Sequence, residues 1–290
     1  MAEILKGAPV AAKLCEDAAD ISQKLRSDGV VPTLAIVRIG EREGDLSYER
    51  GATKRCAAAG VEIKSVAFDE DVPCDGFFKK FKEVCDDETV HGILLMRPLP
   101  DRIDTERARR MIPPTKDIDG CTDLSLAGVF TGSGEGFAPC TAEAVTALLD
   151  YYKIDCDGAN IAVVGRSLVI GRPVAMLLMR RNATVTICHT HTRQLARICS
   201  RADIVIACAG VCEMLGADCF SAGQTIVDVG VNFSEQKQKL CGDVNFDAAA
   251  PVVGAITPVP GGVGAVTSAV AALHVAQAAQ MWYNRRRNSI

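Results

Sequence analysis

One stretch of the sequence, from Asn160 to Pro173, constrains the fold more than any other. It reads NIAVVGRSLVIGRP, with an apolar run, a glycine that interrupts it, and a second glycine just before a helix-forming run. A short apolar run rich in β-branched residues is typical of a buried central strand. A strand, a glycine turn and a helix together present backbone N–H groups and a positive helix end to a phosphate. The stretch favours a nucleotide site, but it only partly matches G-x-G-x-x-G, and a purely structural turn is the alternative.

Helical and strand periodicities alternate along the chain. In the first half, predicted helices cover 8–28, 47–59 and 76–85, and predicted strands cover 32–40, 61–68 and 91–96. In the second half, predicted strands cover 160–164, 184–188, 202–208 and 224–230, and predicted helices cover 171–181 and 267–282. This alternation predicts an α/β fold with a mostly parallel sheet and binding residues at the carboxyl ends of its strands.

A helix predicted over 141–152 separates the two alternating units. We expect a first α/β domain over 1–144 and a Rossmann-type nucleotide-binding domain over 145–266. Residues 113–140 carry no predicted element, and so long an irregular segment is usually functional.

Composition excludes several classes of protein. The chain has 290 residues, of which 48% are hydrophobic and 23% charged, as is ordinary for a globular protein. Its net charge of −4 is not the electrostatic footprint of a nucleic-acid-binding protein. No secretory signal is visible, and no apolar run reaches the roughly 18 residues that cross a bilayer. We therefore expect a cytoplasmic protein that binds neither nucleic acid nor membrane.

The cysteine content is high, with 13 residues, but no C-x-x-C pattern occurs. In a reducing compartment such cysteines are expected to be small buried hydrophobic residues. The segment Cys188-His189-Thr190-His191 could suggest a metal, yet no second cluster lies at ligand spacing. We therefore expect no metal site.

Short motifs spread over nearly the whole chain identify a known family. They are Ser47-Tyr48, Arg97–Pro100, Lys116–Gly120, Pro139–Thr141, Gly165–Ser167 with Gly171 and Pro173, Asp228–Gly230, Gly242–Val244 and Thr257–Gly264. Through these motifs the chain closely resembles the methylenetetrahydrofolate dehydrogenase/methenyltetrahydrofolate cyclohydrolase family of one-carbon metabolism. The resemblance implies two α/β domains with a cleft between them, the first completed by the C-terminal helix 267–290. It also implies tetrahydrofolate derivatives as substrates and a homodimer formed through the nucleotide-binding domain.

The resemblance implies a folate site as well. Tyr48 and Asp119 are the expected catalytic residues: Asp119 would accept hydrogen bonds from the pterin, and Tyr48 would stack beside the folate ring. The other expected substrate-binding residues are Pro98, Leu99, Pro260, Gly261, Gly262 and Thr267. A turn aspartate and a core tyrosine are the structural alternatives for the first two.

The expected cofactor is NADP. By resemblance, the cofactor-binding residues are Gly165, Arg166, Ser167, Gly171, Thr190, Gly210 and Val231. An NAD site usually has an acidic residue at the end of its second strand, whereas the strand end here reads Cys188-His-Thr-His-Thr192. Arg166 and Thr190 could instead bind a 2′-phosphate.

Two departures from the family pattern concern one catalytic partnership. The family tyrosine matched by Tyr48 is followed one helical turn later by a catalytic lysine, and here that position is Ala52. Lys54 is no simple replacement, because two residues rotate a side chain by about 200° around a helix. A family glutamine that hydrogen-bonds this lysine is replaced by Met96, and the apolar residue after it is replaced by Arg97.

The paired loss is physically consistent, because a buried glutamine without its lysine would be an unsatisfied amide. The asparagine expected after the Lys116–Gly120 motif is also missing, and Ser125 is nearest.

A partly desolvated lysine would assist attack of water on the methenyl carbon, which is the cyclohydrolase step. Without it, that step should be much weaker or proceed differently.

Three interpretations follow. The first is oxidation of 5,10-methylenetetrahydrofolate to 5,10-methenyltetrahydrofolate with NADP and little or no cyclohydrolase activity. The second is a fully bifunctional enzyme that also makes 10-formyltetrahydrofolate, using Arg97, Lys54 or ordered water. The third is a non-catalytic folate- or nucleotide-binding protein, against which the intact cofactor loop and Asp119 argue.

Overall fold

The structure is a computed structural model that describes residues 2–235 and 237–288. The described residues divide into two compact units. One unit contains the residues up to Ala11 together with Thr141–Thr267, and the other contains Ala12–Cys140 together with the residues from Ser268 onward. We call them the six-stranded unit and the three-stranded unit, after the main sheet of each in the described part of the chain.

Strands and helices alternate through both units, as the sequence predicts. The strands are β1 (Glu3–Ile4), β2 (Thr33–Ile39), β3 (Glu62–Phe68), β4 (Gly92–Leu95), β5 (Asn160–Val164), β6 (Thr184–Cys188), β7 (Ile204–Ala207), β8 (Thr225–Asp228), β9 (Asn232–Ser234), β10 (Lys239–Cys241) and β11 (Ala255–Ile256). The helices are α1 (Gly7–Ser27), α2 (Glu43–Ala58), α3 (Cys74–Asp86), α4 (Thr105–Met111), α5 (Asp123–Thr131), α6 (Cys140–Tyr151), α7 (Gly171–Met179), α8 (Leu195–Cys199), α9 (Phe246–Ala249) and α10 (Gly264–Asn288). The predicted α/β fold class is confirmed.

The three-stranded unit is built on a parallel sheet in the order β3-β2-β4. The apolar face of α3 forms its core, where the rings of Phe77 and Phe81 stack with centroids 5.4 Å apart. Both phenylalanines are fully buried against strand residues such as Ile93. Complete burial of such a side chain contributes about 1.5–3 kcal/mol, so this cluster is a main source of the stability of the three-stranded unit.

The six-stranded unit is a parallel sheet in the order β1-β11-β8-β7-β5-β6. The central strand β5 pairs with β6 on one side and with β7 on the other. The chain therefore reverses its direction of travel across the sheet at β5, and ligands bind at such a switch point beside the carboxyl ends of the strands. These carboxyl ends are Val164, Cys188, Ala207 and Asp228.

The segment 113–140 is less irregular than the sequence suggests, because it contains α5. The Thr122 side chain caps this helix by accepting a hydrogen bond from the Ser125 backbone nitrogen at 3.2 Å. The helix ends at Gly132, whose φ of 73° is left-handed. The expectation of a wholly irregular segment is therefore wrong.

The first residues of the chain group with the six-stranded unit, whereas the sequence assigns them to the domain over 1–144. The reason is a short parallel pairing in which Glu3 and Ile4 of β1 oppose Ala255 and Ile256 of β11. Two residues are too few to show the apolar–polar alternation of a strand, so the sequence does not predict β1.

The expectation that the cysteines serve only as small buried hydrophobic residues is wrong for one pair. Cys212 and Cys241 are joined by a disulfide across 29 positions of sequence. The remaining eleven cysteines are not joined by disulfide bonds, and most of them are buried, as expected of small hydrophobic residues. Separately, no helix in the described part of the chain is long and apolar enough to span a membrane.

Candidate functional site

The glycine turn after β5 is tightly packed against its neighbours in the six-stranded unit. Gly165 has a φ of 141°, and a Cβ atom at this position would lie 2.3 Å from the carbonyl oxygen of Cys208. A Cβ atom on Gly171 would lie 2.3 Å from the carbonyl oxygen of Gly165 and 2.8 Å from the backbone nitrogen of Arg166. Only glycine fits at both positions, so the first turn of α7 approaches the loop closely with its backbone N–H groups.

Three of the predicted cofactor residues lie at the carboxyl ends of β5 and β6. Arg166 and Ser167 are exposed in the loop before α7, and Thr190 is exposed after β6. The Ser167 hydroxyl accepts a hydrogen bond from the Ile170 backbone nitrogen at 3.1 Å, which shapes the loop. Among the described residues, the Arg166 guanidinium has no hydrogen-bond or ion-pair partner, so its donors are open to a ligand.

A buried carboxylate that sequence reasoning did not assign supports the loop after β7. Asp243 accepts hydrogen bonds from three consecutive backbone nitrogens, those of Ala209, Gly210 and Val211. It also accepts one from the Asn232 side chain at 2.9 Å. The predicted cofactor residue Gly210 therefore belongs to a loop that Asp243 holds in one conformation.

A second buried aspartate joins three of the motifs noted in the sequence. Asp228 accepts hydrogen bonds from the backbone nitrogens of Gly230, Asp243 and Val244 at 2.9–3.0 Å. Its own backbone nitrogen donates to the Thr257 hydroxyl at 2.7 Å. Burial raises the pKa of Asp228 to about 6, and the backbone hydrogen bonds oppose that rise. The pattern of motifs could have suggested this convergence, but not which atoms meet.

The loop after β11 carries the remaining predicted substrate residues of the six-stranded unit. Pro260 and Gly261 are exposed, and Gly262 is buried. The carbonyl oxygen of Gly261 accepts a hydrogen bond from the Gly7 backbone nitrogen at 2.8 Å. Thr267 is half-buried in the first turns of α10. Val231, a predicted cofactor residue, is 61% exposed immediately before β9.

In the three-stranded unit, Asp119 and Arg97 form an ion pair. Nη2 of Arg97 donates to Oδ2 of Asp119 at 3.2 Å, and the side chains are 30% and 28% exposed. Arg97 follows β4, and the two residues after it are the predicted substrate residues Pro98, which is exposed, and Leu99, which is buried. The structure thus brings three of these predicted residues to the carboxyl end of one strand.

The ionisation of Asp119 depends on its surroundings. Burial raises its pKa to about 6, with Arg97 opposing the rise and the nearby Asp117 adding to it. The imidazole of His274, on α10, also lowers this pKa. Burial therefore disfavours the ionised carboxylate, and Arg97 favours it.

Tyr48 lies near Asp119 on α2 and is 41% exposed, so its ring is available to a ligand. Desolvation raises the pKa of its phenol, with further contributions from Cys140 and Asp119. The phenol is consequently neutral at physiological pH. Cys140 and His274 both contact the carbonyl oxygen of Ile118, at 3.0 and 2.7 Å, and so lie next to the Asp119 segment.

The positions that depart from the family pattern are both buried. Ala52 is 6% exposed on the inner face of α2, and Met96 is 7% exposed directly after β4. Lys54 is exposed, in agreement with the rotation expected from the helical period. Lys116 is committed elsewhere, because its Nζ donates to the carbonyl oxygens of Cys85 and Asp87 at 2.8 and 2.7 Å.

The fold and these residues place the protein in the class of α/β enzymes that have a Rossmann-type dinucleotide-binding domain. The family model "Tetrahydrofolate dehydrogenase/cyclohydrolase, catalytic domain" matches residues 5–119. The model "Tetrahydrofolate dehydrogenase/cyclohydrolase, NAD(P)-binding domain" matches residues 139–283. The chain therefore belongs to the tetrahydrofolate dehydrogenase/cyclohydrolase family, and the resemblance inferred from its motifs is confirmed.

Individual relatives match along the whole chain. The bifunctional protein FolD of Alkaliphilus metalliredigens is 40% identical over 284 residues, which cover 98% of this chain and 100% of the relative. The crystal structure of the bifunctional enzyme FolD from Campylobacter jejuni superimposes with a TM-score of 0.92 at 32% identity, covering 97% of this chain and 99% of that one. The Trypanosoma brucei N5,N10-methylenetetrahydrofolate dehydrogenase-cyclohydrolase, solved with NADP and an inhibitor, gives a TM-score of 0.87 at 30% identity and covers 98% of each chain.

Proposed function

We propose that this protein oxidises 5,10-methylenetetrahydrofolate to 5,10-methenyltetrahydrofolate with NADP and has little or no cyclohydrolase activity. The reaction removes a hydride from the one-carbon bridge and leaves a conjugated cation on the folate. When bound, NADP accepts that hydride. Such a reaction depends mainly on holding donor and acceptor carbons in register, so positioning residues carry most of the catalysis.

On the folate side, Asp119 would bind the pterin and Tyr48 would stack beside the ring. The geometry supports these roles: the Asp119 carboxylate is only partly exposed, and the Tyr48 ring is accessible and neutral. The other residues proposed to contact the substrate are Pro98, Leu99, Pro260, Gly261, Gly262 and Thr267.

On the cofactor side, the glycine turn and the start of α7 would bind the nucleotide phosphates. Two observations support this role. The backbone packs so closely at Gly165 and Gly171 that no side chain fits there, and the guanidinium N–H groups of Arg166 are open to a ligand. No carboxylate follows β6 through Thr192, which favours a 2′-phosphate over a free 2′-hydroxyl. The NADP bound in the Trypanosoma brucei relative points the same way. The remaining proposed cofactor contacts are Ser167, Thr190, Gly210 and Val231.

The loss of the cyclohydrolase step rests on one observation. Ala52 and Met96, where the family pattern has lysine and glutamine, are both buried apolar residues. Neither neighbouring lysine compensates, because Lys54 is exposed and Lys116 is bonded to two carbonyl groups. No ammonium group is therefore supplied at residue 52 to assist attack by water.

A fully bifunctional enzyme is the second candidate. The relatives at about 40% identity carry the name bifunctional protein FolD. Arg97 also supplies a positive charge beside Asp119, 3.2 Å from its carboxylate, where the family pattern has an apolar residue. Under this candidate, Arg97 would orient or polarise the attacking water.

One assay separates the candidates. Purified protein is given methylenetetrahydrofolate and NADP, and the absorbances of NADPH and of the methenyl cation are followed together on one sample. The proposed function predicts that the methenyl signal rises in step with NADPH and then decays at the spontaneous rate. A bifunctional enzyme would form NADPH without lasting methenyl absorbance, and a non-catalytic protein would form neither.

We also propose a homodimer formed through the six-stranded unit, as the family resemblance implies. In support, Phe233 and Leu240 oppose each other on the antiparallel strands β9 and β10 and are 59% and 45% exposed. An exposed apolar pair of this kind is typical of an interface. Replacement of Leu240 by Ser should shift the mass measured by light scattering from dimer to monomer, and an unchanged mass would place the interface elsewhere.

A further inference from the structure

The ion pair of Arg97 and Asp119 joins two segments of the three-stranded unit that are each held rigidly. Asp117 accepts hydrogen bonds from the backbone nitrogens of Cys121 and Thr122 at 3.0 and 2.8 Å, which fixes the turn that carries Asp119. Arg97 directly follows Met96, whose backbone nitrogen donates to Val37 of β2 at 2.8 Å. The pair is therefore part of a fixed surface.

The pair satisfies only part of its hydrogen-bonding capacity. The single contact joins Nη2 of Arg97 to Oδ2 of Asp119. Among the described residues, the other guanidinium N–H groups of Arg97 and the second carboxylate oxygen of Asp119 have no partner. Both side chains keep more than a quarter of their surface exposed. The surface thus offers a hydrogen-bond donor immediately beside acceptors.

The pyrimidinone edge of a pterin has the complementary order of groups. It presents the 4-oxo group, which accepts, next to the N3–H and the 2-amino group, which both donate. A carboxylate accepts at two oxygens, and a guanidinium donates in a fixed planar fork. We propose that Arg97 is a specificity-determining residue that donates to the 4-oxo group while Asp119 accepts from N3–H and the 2-amino group. This inference rests on the proposed function, and it adds a second residue to the recognition of the substrate.

The charge of the pair supports this assignment. Asp119 must be ionised to accept both hydrogen bonds, and burial raises its pKa to about 6 while Arg97 opposes the rise. The other titratable groups that act on it are Asp117, which raises the pKa, and His274, which lowers it. Tyr48, also nearby, is neutral because its pKa is raised. Removal of Arg97 should therefore raise the pKa of Asp119 further.

The sharpest test exploits the 4-oxo group. Tetrahydrofolate presents an acceptor at position 4, and its 4-amino analogue, tetrahydroaminopterin, presents a donor there. The analogue also has no N3–H to donate to Asp119, because its N3 is an acceptor. The unmodified protein should bind the 4-oxo compound more tightly by about 100-fold or more, because the analogue loses a hydrogen bond to each of the two charged groups. Arg97→Leu should reduce the ratio of the two dissociation constants by about 10- to 100-fold, chiefly by weakening the 4-oxo compound, and should leave the part of the preference that comes from N3–H and Asp119.

Two further variants serve as references. Arg97→Lys keeps a positive charge and a donor, so it should retain part of the preference even if the leucine variant folds poorly. Arg110→Leu makes the same change on an exposed helical position of the same unit and should leave the ratio unchanged. Melting curves and NADP titrations would show whether each variant is folded.

A pH profile gives an independent readout. In Arg97→Leu, the acid limb of kcat/KM for methylenetetrahydrofolate should move to higher pH, because the carboxylate has lost its cation. An unchanged ratio of dissociation constants in Arg97→Leu, with an unchanged acid limb, would overturn the role of Arg97 while leaving the proposed function intact. Failure of the unmodified protein to bind either pterin would overturn both.

Discussion

The carboxylate of Asp243 lies 2.9 Å from the backbone nitrogen of Gly210, although the two residues are 33 positions apart in the sequence. The same carboxylate accepts hydrogen bonds from Val211 and from the Asn232 side chain, both at 2.9 Å. A fully buried side chain is thus the main support of the loop after β7. That loop follows the carboxyl end of β7, on the side of the sheet where we propose that the cofactor binds.

Replacement of Asp243 by Asn is expected to weaken NADP binding without touching the cofactor directly. An amide presents one donor group where the carboxylate accepts, so at least one buried backbone N–H loses its partner, at a cost of about 1–3 kcal/mol. The variant should melt at a lower temperature and bind NADP several-fold more weakly in a fluorescence titration. Asp247→Asn, which changes an exposed carboxylate nearby in sequence, is the control. Unaltered binding in the Asp243 variant would mean that the loop does not contribute to the cofactor site.

Replacement of Arg166 by Ser is expected to change the choice of cofactor. If the guanidinium binds the 2′-phosphate, the variant loses a charge-assisted contact of roughly 1.5–3 kcal/mol for NADP and little for NAD. The measurement is kcat/KM for each cofactor. The same substitution at Arg180, an exposed residue just after α7, should leave the ratio unchanged. Equal losses for both cofactors would indicate a structural arginine, and a preference of the unmodified protein for NAD would exclude the 2′-phosphate site.

Replacement of Asp119 by Asn should abolish turnover and stabilise the fold at neutral pH. The folded pKa of Asp119 is about 6, raised from an ordinary value of 3.8, so the native state binds an extra proton between these values. Its contribution to stability is therefore present below about pH 4 and is lost as the pH rises through 6. Above that pH the neutral amide avoids the desolvation of a charge.

The check is a pair of melting curves, at pH 4 and pH 8, for both proteins. The variant should gain stability relative to the unmodified protein at pH 8 and little at pH 4. Asp228 has the same raised pKa but is present in both proteins, so the difference isolates Asp119. A variant that turns over folate normally would return Asp119 to the role of a turn residue.

A thiol titration tests the disulfide. The chain has 13 cysteines, and Cys212 and Cys241 are joined, so protein denatured without reductant should release eleven thiols. Closing a loop of this length stabilises a fold by about 2–4 kcal/mol, so reduction should lower the melting temperature. The double variant Cys212→Ser, Cys241→Ser should show no such response to reductant. Thirteen free thiols in protein purified without reductant would contradict the bond.

The sequence predicts the central elements well because their signals are local. The strand expected at 160–164 coincides with β5, since a dense apolar run next to a glycine specifies a buried strand. The strand expected at 184–188 coincides with β6, whose signal is its β-branched residues. The sequence does not predict helix α5, because its apolar residues show no clear face and Gly128 lies within it. Its signals are the capping Thr122 and the left-handed Gly132, which are single residues that also occur in turns.

Contacts between distant residues could not be predicted in the same way. The identity of Asp243 as the support of the Gly210 loop, and the pairing of Arg97 with Asp119, depend on which loops meet in space. The sequence did mark Arg97 as unusual, because the family pattern has an apolar residue there. Likewise, the pairing of Cys212 with Cys241 follows from the positions of β10 and the loop after β7, and no spacing rule gives it.

The separation of the two family activities is tested most directly by supplying purified methenyltetrahydrofolate and following the loss of its absorbance. With Ala52 and Met96 in place, the rate with the unmodified protein should equal the rate in buffer alone. Ala52→Lys alone should help little, because a lone buried ammonium is costly. Ala52→Lys combined with Met96→Gln supplies the missing hydrogen-bond partner and should raise the rate above the buffer rate. Hydrolysis by the unmodified protein well above the buffer rate would contradict the separation.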